Sequence, residues 1–177
     1  GLFQHPISSD DCSEYSASAD SAGRGFSTIM TIQMLSDDSD LEVDHITSSW
    51  AHVYASQDVM VLAEPANDWW WFWRNFGWDD ATNIHIFDIS DPSETTYVAS
   101  GRVDGTVQDQ FSLSEHNGVI RVATTEDAWG RWWLETEEWT GPSNNVFTLA
   151  AMECMIPEGC EGDSSELVQI GHVGDIA

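Results

Sequence analysis

Val59–Ile89 reads VMVLAE, then PANDWWWFWRNFGWDDA, then TNIHIFDI: two apolar runs separated by a tryptophan-rich connection. The same pattern returns at Val119–Ala151, which reads VIRVATTE, then DAWGRWWLETEEWTGPS, then NNVFTLAA. Apolar, β-branched runs of this length are typical of strands. A recurrence after about 60 residues is typical of a repeated supersecondary unit. We call the connections the first insert (Pro65–Ala81) and the second insert (Asp127–Ser143).

Each pair of runs is preceded by a short run and followed by a closing run. The short runs are His52–Ser56 and Gln110–Ser114, and the closing runs are Thr96–Gly105 and Leu167–Ile176. Thr28–Leu35 resembles the second apolar run of each pair, and Leu41–Thr47 resembles the closing run that follows it. The chain therefore holds two four-stranded units, preceded by the last two strands of an earlier one. Four-stranded antiparallel units of this length are typical of β-propeller blades.

We therefore predict an all-β fold of antiparallel four-stranded blades, about two and a half blades of a β-propeller with long Trp-rich hairpin inserts. Residues 1–25, rich in Ser, Asp and Gly, are predicted to be an irregular loop segment, and residues 26–177 a partial propeller. The predicted blades are 26–50, 51–105 and 106–177. Because a closed propeller needs at least about four blades, we expect the chain to pair with remaining segments of the same propeller or with itself.

The apolar patterns also predict which strands are covered. VMVLAE and VIRVATTE are almost continuously apolar, as expected of strands with neighbours on both faces. TNIHIFDI alternates, which predicts one buried face and one face in water. Asp88, at the start of a Pro-containing turn, is predicted to cap that turn.

The charge is strongly acidic: 31 Asp and Glu stand against 5 basic residues, all Arg, for a net charge of −26. Nucleic acid and anionic membranes are excluded as partners, because binding phosphate needs a basic surface. There is no transmembrane run, so direct membrane insertion is not expected. Two interpretations of the acidity stay open: a solvated surface suited to salty surroundings, or binding of cations such as Ca²⁺. No other cofactor is predicted.

Three cysteines are present. Cys154 and Cys160 flank a short turn, MIPEG, and a disulfide between them would close a small loop in an oxidising compartment. Cys12 would then be unpaired or bonded elsewhere. No second pair of Cys or His at ligand spacing accompanies them, so no metal site is predicted.

Most of the ten tryptophans lie in the two inserts. The candidate binding residues are Trp69, Trp70, Trp71, Trp73, Trp78, Trp129, Trp132 and Trp133. Corresponding loops of successive blades lie side by side, so the two clusters should be neighbours. Either the indoles pack together across the blade boundary, or several stay exposed as a platform for sugar rings or a hydrophobic patch on a partner protein.

Signals of catalysis are weak. The six His are scattered along predicted strands and loops, and acidic pairs are too common in this sequence to indicate glycosidic acid/base chemistry. There is no Gly-rich phosphate loop and no G-x-S-x-G motif. No catalytic residue is predicted.

Tyr97–Thr125, YVASGRVDGTVQDQFSLSEHNGVIRVATT, resembles the bacterial and archaeal secreted proteins that contain a C-terminal β-propeller domain. The shared pattern is Y-x-A-S-G-x-V-x-G, then N-Q-F-S-(M/L)-x-E-(Y/H)-x-G, then R-V-A-T-T, with Asp109 where Asn is usual. The resemblance covers roughly Phe26–Ala177. It implies an exported or surface propeller that continues on both sides of this segment, and it carries over no catalytic residue.

These observations favour a non-catalytic extracellular binding or scaffold module with a Trp-rich contact face. Two alternatives stay open. One is a glycan-active enzyme with carboxylates at the propeller channel; the other is an assembly protein whose inserts form subunit contacts.

Overall fold

A computed structural model describes residues 15–16, 25–33, 41–48, 50–66, 81–126, 142–152 and 165–176. The strands within these ranges are β1 (Tyr15–Ser16), β2 (Gly25–Ile32), β3 (Leu41–Ser48), β4 (His52–Ala55), β5 (Val59–Pro65), β6 (Ala81–Asp88), β7 (Thr96–Asp104), β8 (Leu113–His116), β9 (Val119–Glu126), β10 (Ser143–Met152) and β11 (Ser165–Ile176). One turn of 3-10 helix, Gln110–Ser112, precedes β8. In these ranges no helix is long and apolar enough to cross a membrane. The prediction of an all-β fold is confirmed for the described residues.

The strands form two sheets. One has three strands in the order β1-β3-β2, and the other has eight in the order β4-β5-β6-β7-β11-β10-β9-β8. Neighbours in the larger sheet are antiparallel except β7 and β11, which run parallel. Its two edge strands approach each other, since the backbone N–H of Glu115 donates to the Tyr54 hydroxyl at 3.2 Å. The larger sheet is therefore nearly closed on itself.

The described strands form three layers. We call β1–β3 the first sheet, and the halves β4–β7 and β8–β11 of the larger sheet the middle and last sheets. The core between the middle and last sheets consists of Val61, Ala63, Ile84, Ile86, Ala99, Val103, Val107, Leu113, Ile120, Val122, Phe147, Leu149 and Leu167. A smaller core, Ile46, Leu62 and Phe87, joins the first sheet to the middle sheet. Every strand of the larger sheet, and both long strands of the first, borders one of these two cores.

Strand β6 is covered on both of its faces. Ile84 and Ile86 lie in the core against the last sheet, and Phe87 lies in the core against the first sheet. Seven of its eight residues are buried. The prediction that TNIHIFDI has a wet face is wrong, because polar residues such as His85 lie in the contact with the first sheet rather than in water.

Strand β9 shows the opposite error. Ile120 and Val122 are buried, whereas Arg121 between them and Ala123 after them are exposed. The prediction of two covered faces is therefore wrong for VIRVATTE, although it holds for Val61–Glu64 in β5. The reason is position: β5 belongs to the middle layer, and β9 belongs to an outer one.

The parallel contact between β7 and β11 joins two units that the sequence predicts as separate antiparallel blades. Ala99 pairs with Ser165, and Ser100 pairs with Glu166. Gly101 permits this approach, because a Cβ atom there would stand 2.5 Å from the Leu167 carbonyl oxygen and 2.8 Å from its Cβ. The larger sheet is thus mixed rather than antiparallel.

Two smaller differences concern segment ends. Tyr15–Ser16, inside the segment predicted as an irregular loop, pairs in parallel with His45 and Ile46 of β3. The predicted strand Gln110–Ser114 begins as a 3-10 turn, whose first N–H groups are capped by the Asp109 carboxylate, which accepts from Phe111 N at 2.9 Å.

We predict that Gly101→Ala lowers the free energy of unfolding by about 1–3 kcal/mol, because the added methyl group overpacks against Leu167. Chemical denaturation monitored by tryptophan fluorescence measures this loss. The control is Ala123→Val, which adds volume at an exposed strand position and should change stability by less than about 0.5 kcal/mol. An equal loss in both variants would show that the β7–β11 contact does not depend on Gly101.

Candidate functional site

Both inserts connect the ends of paired antiparallel strands. Pro65 at the end of β5 pairs with Thr82, and the N–H of Ala66 donates to the Ala81 carbonyl at 2.9 Å. In the last sheet, Glu126 at the end of β9 pairs with Ser143. Each insert is therefore the connection of a β-hairpin.

The two inserts leave from the same end of the larger sheet. Strand β5 runs in the direction of β7, because both are antiparallel to β6. Strand β7 is parallel to β11, which is antiparallel to β10 and so runs in the direction of β9. Strands β5 and β9 therefore point the same way and end at the same edge of the larger sheet. We call this edge the insert end.

The connection from β7 to β8 crosses the insert end and fastens the two sheets there. Thr82 Oγ1 donates to the Gly105 carbonyl at 2.8 Å, and Thr124 Oγ1 donates to the Asp104 carbonyl at 2.7 Å. Thr106 and Thr125 exchange backbone hydrogen bonds of 2.9 and 3.1 Å. The strand ends that carry the inserts are thus held in a fixed relation to each other.

A hydrogen-bonded polar group lies beside the second insert. The Asn145 amide donates to Glu126 Oε1 at 2.8 Å, and its carbonyl oxygen lies 3.0 Å from Nε2 of His172. Since the amide N–H is used on Glu126, the carbonyl oxygen is left to accept, and the imidazole donates from Nε2. The His172 ring stacks on Phe147, with ring centroids 4.5 Å apart and planes inclined by 5°. This group orients an exposed imidazole next to the base of the second insert.

A second polar group lies in the middle sheet, on the face that contacts the first sheet. Glu64, Asn83 and His85 are each at least 98% buried. Glu64 and Asn83 are directly opposite in register, and Glu64 Oε1 lies 3.5 Å from His85 Nε2. That separation is within ion-pair range, yet the two atoms form no hydrogen bond. We call Glu64, Asn83 and His85 the buried polar group.

The two polar groups occupy related places. Asn83 and Asn145 both lie near the start of the third strand of their sheets, opposite Glu64 and Thr124 near the end of the second strand. Sequence reasoning missed both groups. One signal in the sequence could have indicated them. An Asn recurs at the start of the corresponding apolar runs, in TNI and in NNV.

Tyr97 lies in the same contact between the first and middle sheets. Its ring meets that of Phe87 edge to face at 5.4 Å and lies 6.4 Å from the ring of His85. Burial raises the pKa of the Tyr97 hydroxyl, an effect that a hydrogen bond with Ser100 opposes. The phenol is therefore neutral at physiological pH, and the environment of His85 on this side is aromatic.

The predicted capping role of Asp88 is confirmed. Its carboxylate accepts from Ser90 N at 2.8 Å, and Asp91 accepts from the N–H and hydroxyl of Ser93 at 2.8 and 2.6 Å. Hydrogen bonds from the Ser90 side chain and backbone hold the pKa of Asp88 below its usual value, and those from Ser93 act likewise on the pKa of Asp91. Both carboxylates are structural parts of the β6–β7 turn.

Several predicted site residues lie outside the described residues. These are the candidate binding residues Trp69, Trp70, Trp71, Trp73, Trp78, Trp129, Trp132 and Trp133, and the cysteines of the predicted disulfide, Cys154 and Cys160. The structure brings together the strand ends that carry the two Trp clusters, and the clustering of the indoles stays a prediction. Among the described residues, no three His, Cys, Asp or Glu form a group suited to a metal ion.

The layers, the repeated order of strands and the paired inserts define an all-β protein assembled from repeated sheets packed face to face. The chain belongs to the family described as the beta propeller domain, whose model matches residues 4–177. Comparison with curated proteins and with solved structures gives no significant match.

We predict that Asn145→Ala lowers the free energy of unfolding by about 1–3 kcal/mol, because it removes the partner of Glu126 and His172 at a buried position. The matched control is Asn144→Ala. Asn144 also makes two hydrogen bonds, to Thr125 and to the Ile176 carbonyl, but it is exposed, and water replaces them. Thermal unfolding of both variants measures the difference, and equal losses would show that the buried amide has no special role.

Proposed function

We propose that the chain is a non-catalytic, exported binding or scaffold module: a sector of a β-propeller ring, made of four-stranded blades, whose insert end is the contact face. The observation that carries the proposal is the stacking of three sheets whose two outermost faces expose apolar side chains.

The contacts of the middle sheet with the first and last sheets show how neighbouring sheets pack on each other. The face of β6 with Ile84 and Ile86 packs on the last sheet, and its opposite face packs on the first sheet. A further sheet of the same kind on either side would continue this stack. In a closed ring, every sheet would be covered as the middle sheet is.

The outer face of the first sheet is apolar at alternate positions of β2. Phe26, Met30 and Ile32 are 62%, 54% and 55% exposed. The last sheet likewise exposes Ile170 and Val173 of β11. Exposed apolar surface arranged along strands supports an interaction surface at each end of the stack. Its proposed occupants are remaining segments of the same propeller or, failing those, a second copy of this chain.

The insert end supports a second kind of contact. It carries two hairpin connections rich in Trp, whose strand ends are fixed to each other through Gly105–Val107. Indoles beside carboxylates suit a sugar ring or an apolar patch on a protein partner. A glycan or protein ligand at the inserts is therefore part of the proposal.

The alternative of a glycan-active enzyme requires two carboxylates that flank a sugar, roughly 5–10 Å apart and accessible to it. Two of the acidic residues that the structure describes near the insert end, Glu126 and Glu64, are not available as such a pair. Glu126 accepts a hydrogen bond from Asn145, and Glu64 is buried between the first and middle sheets. These positions favour binding over hydrolysis. Assembly through the open faces is compatible with the leading proposal rather than opposed to it.

We predict that Phe26→Glu and Val173→Glu each weaken assembly, because a charge is placed where a neighbouring sheet would pack. The control is Phe111→Glu, which changes an 85% exposed aromatic in the 3-10 turn, away from both open faces. Light scattering coupled to size exclusion measures the particle mass. A wild-type chain that is a monodisperse monomer of ordinary stability would contradict the proposed stacking.

We predict that Trp70→Ala and Trp132→Ala reduce ligand binding and leave the particle mass unchanged. The control is Trp50→Ala, since Trp50 is exposed but lies between β3 and β4, outside both inserts. Binding is measured on a glycan array and against extracellular proteins from the environment in which the chain occurs. The particle mass is measured by light scattering. Loss of assembly in the insert variants would instead favour subunit contacts through the inserts.

A further inference from the structure

The buried polar group presents polar atoms that the protein does not satisfy. Within the described residues, no hydrogen bond reaches Oε1 of Glu64, Nδ2 of Asn83 or either ring nitrogen of His85. These atoms lie beside an apolar contact formed by Leu62 and Phe87. Buried polar atoms without a hydrogen bond are unfavourable in such a contact, and a carboxylate oxygen is the most unfavourable of them.

The spacing of two of these atoms suits a shared ligand. Glu64 Oε1 and His85 Nε2 lie 3.5 Å apart without forming a hydrogen bond. Two ligands that bind one tetrahedral metal ion at about 2.0–2.2 Å stand about 3.3–3.5 Å from each other. We infer that the buried polar group is a binding site for a divalent transition metal ion, and that Zn²⁺ is the ion it fits.

Asn83 supplies the third ligand. It is directly opposite Glu64 and two residues from His85 on the same face of β6. The oxygen and nitrogen of an amide are interchanged by a half-turn of the side chain, so Oδ1 can take the position of Nδ2, which is buried without a hydrogen bond. An imidazole nitrogen with two oxygens suits Zn²⁺, and a water molecule completes four-coordination. Ca²⁺ fits poorly, because it takes six to eight oxygen ligands.

The last sheet provides an internal contrast. Glu126, Asn145 and His172 have the same three side-chain types, but their polar atoms bond to each other at 2.8 and 3.0 Å. A metal ion there would have to displace these hydrogen bonds. The two groups therefore give matched substitutions of the same residue types, one set inside the inferred site and one set outside it.

The test uses the full chain after treatment with EDTA. ZnCl₂ is titrated by calorimetry at physiological salt with excess CaCl₂, which occupies the acidic surface. We expect one Zn²⁺ per chain, with affinity reduced about 100-fold or more in Glu64→Gln and in His85→Gln, since even residues that only support metal ligands contribute 10–100-fold. Glu126→Gln and His172→Gln should bind Zn²⁺ like the wild type.

A second measurement does not depend on the variants folding. Co²⁺ replaces Zn²⁺ in tetrahedral sites and then shows intense visible absorption, which should appear in the wild-type chain at one equivalent and disappear on adding Zn²⁺. The inference is overturned if binding is weak, multiple and displaced by Ca²⁺, or if the Co²⁺ spectrum is that of the aqueous ion. It is also overturned if His85→Gln folds and binds Zn²⁺ as tightly as His172→Gln.

Discussion

The structure depends on the covering of the middle sheet from both sides. A strand whose two faces are both buried needs apolar side chains at most positions, as β5 has, and any polar side chain in it is buried too, as Asn83 and His85 of β6 are. Such a strand cannot be stable in a two-layer protein, where one face would meet water. The first and last sheets are therefore required by the composition of the middle one. Their own outer faces are then the places where the stack continues or ends.

The two polar groups of the stack lie toward the insert end. Asn83 and Asn145 lie near the strand starts, while Ile84, Ile86, Phe147 and Leu149 follow in the interior. This arrangement keeps the apolar cores continuous and places both polar groups in the part of each sheet nearest the inserts. In the last sheet the polar atoms satisfy each other. In the middle sheet they do not, and a bound ion would satisfy them.

The long strands and their order along the chain were predictable from the sequence, because apolar runs that recur in the same order at a fixed spacing are typical of repeated sheets. The parallel pairing of β7 with β11 was not predictable from that repeat. The Asp88 turn was predictable for a local reason: a carboxylate two residues from a free backbone N–H bonds to it in most contexts. Which faces are covered was predicted correctly for β5 but not for β6 or β9. VIRVATTE and VMVLAE look alike in sequence. Arg121 is nevertheless exposed because β9 lies in an outer layer, and Leu62 is buried because β5 lies in the middle layer. The closeness of Glu64 and His85 was equally hidden, since it depends on the register of β5 with β6.

The parallel contact between β7 and β11 also has a consequence for the order of folding. It joins residues 99–100 to residues 165–166, with most of the last sheet lying between them in the chain. Contacts of such large sequence separation form slowly, because the intervening chain must lose much of its freedom first. During synthesis on a ribosome, the middle sheet would emerge before β11. Its face toward the last sheet would stay uncovered until β11 had been made. A nascent chain halted before β11 would therefore present that face to chaperones.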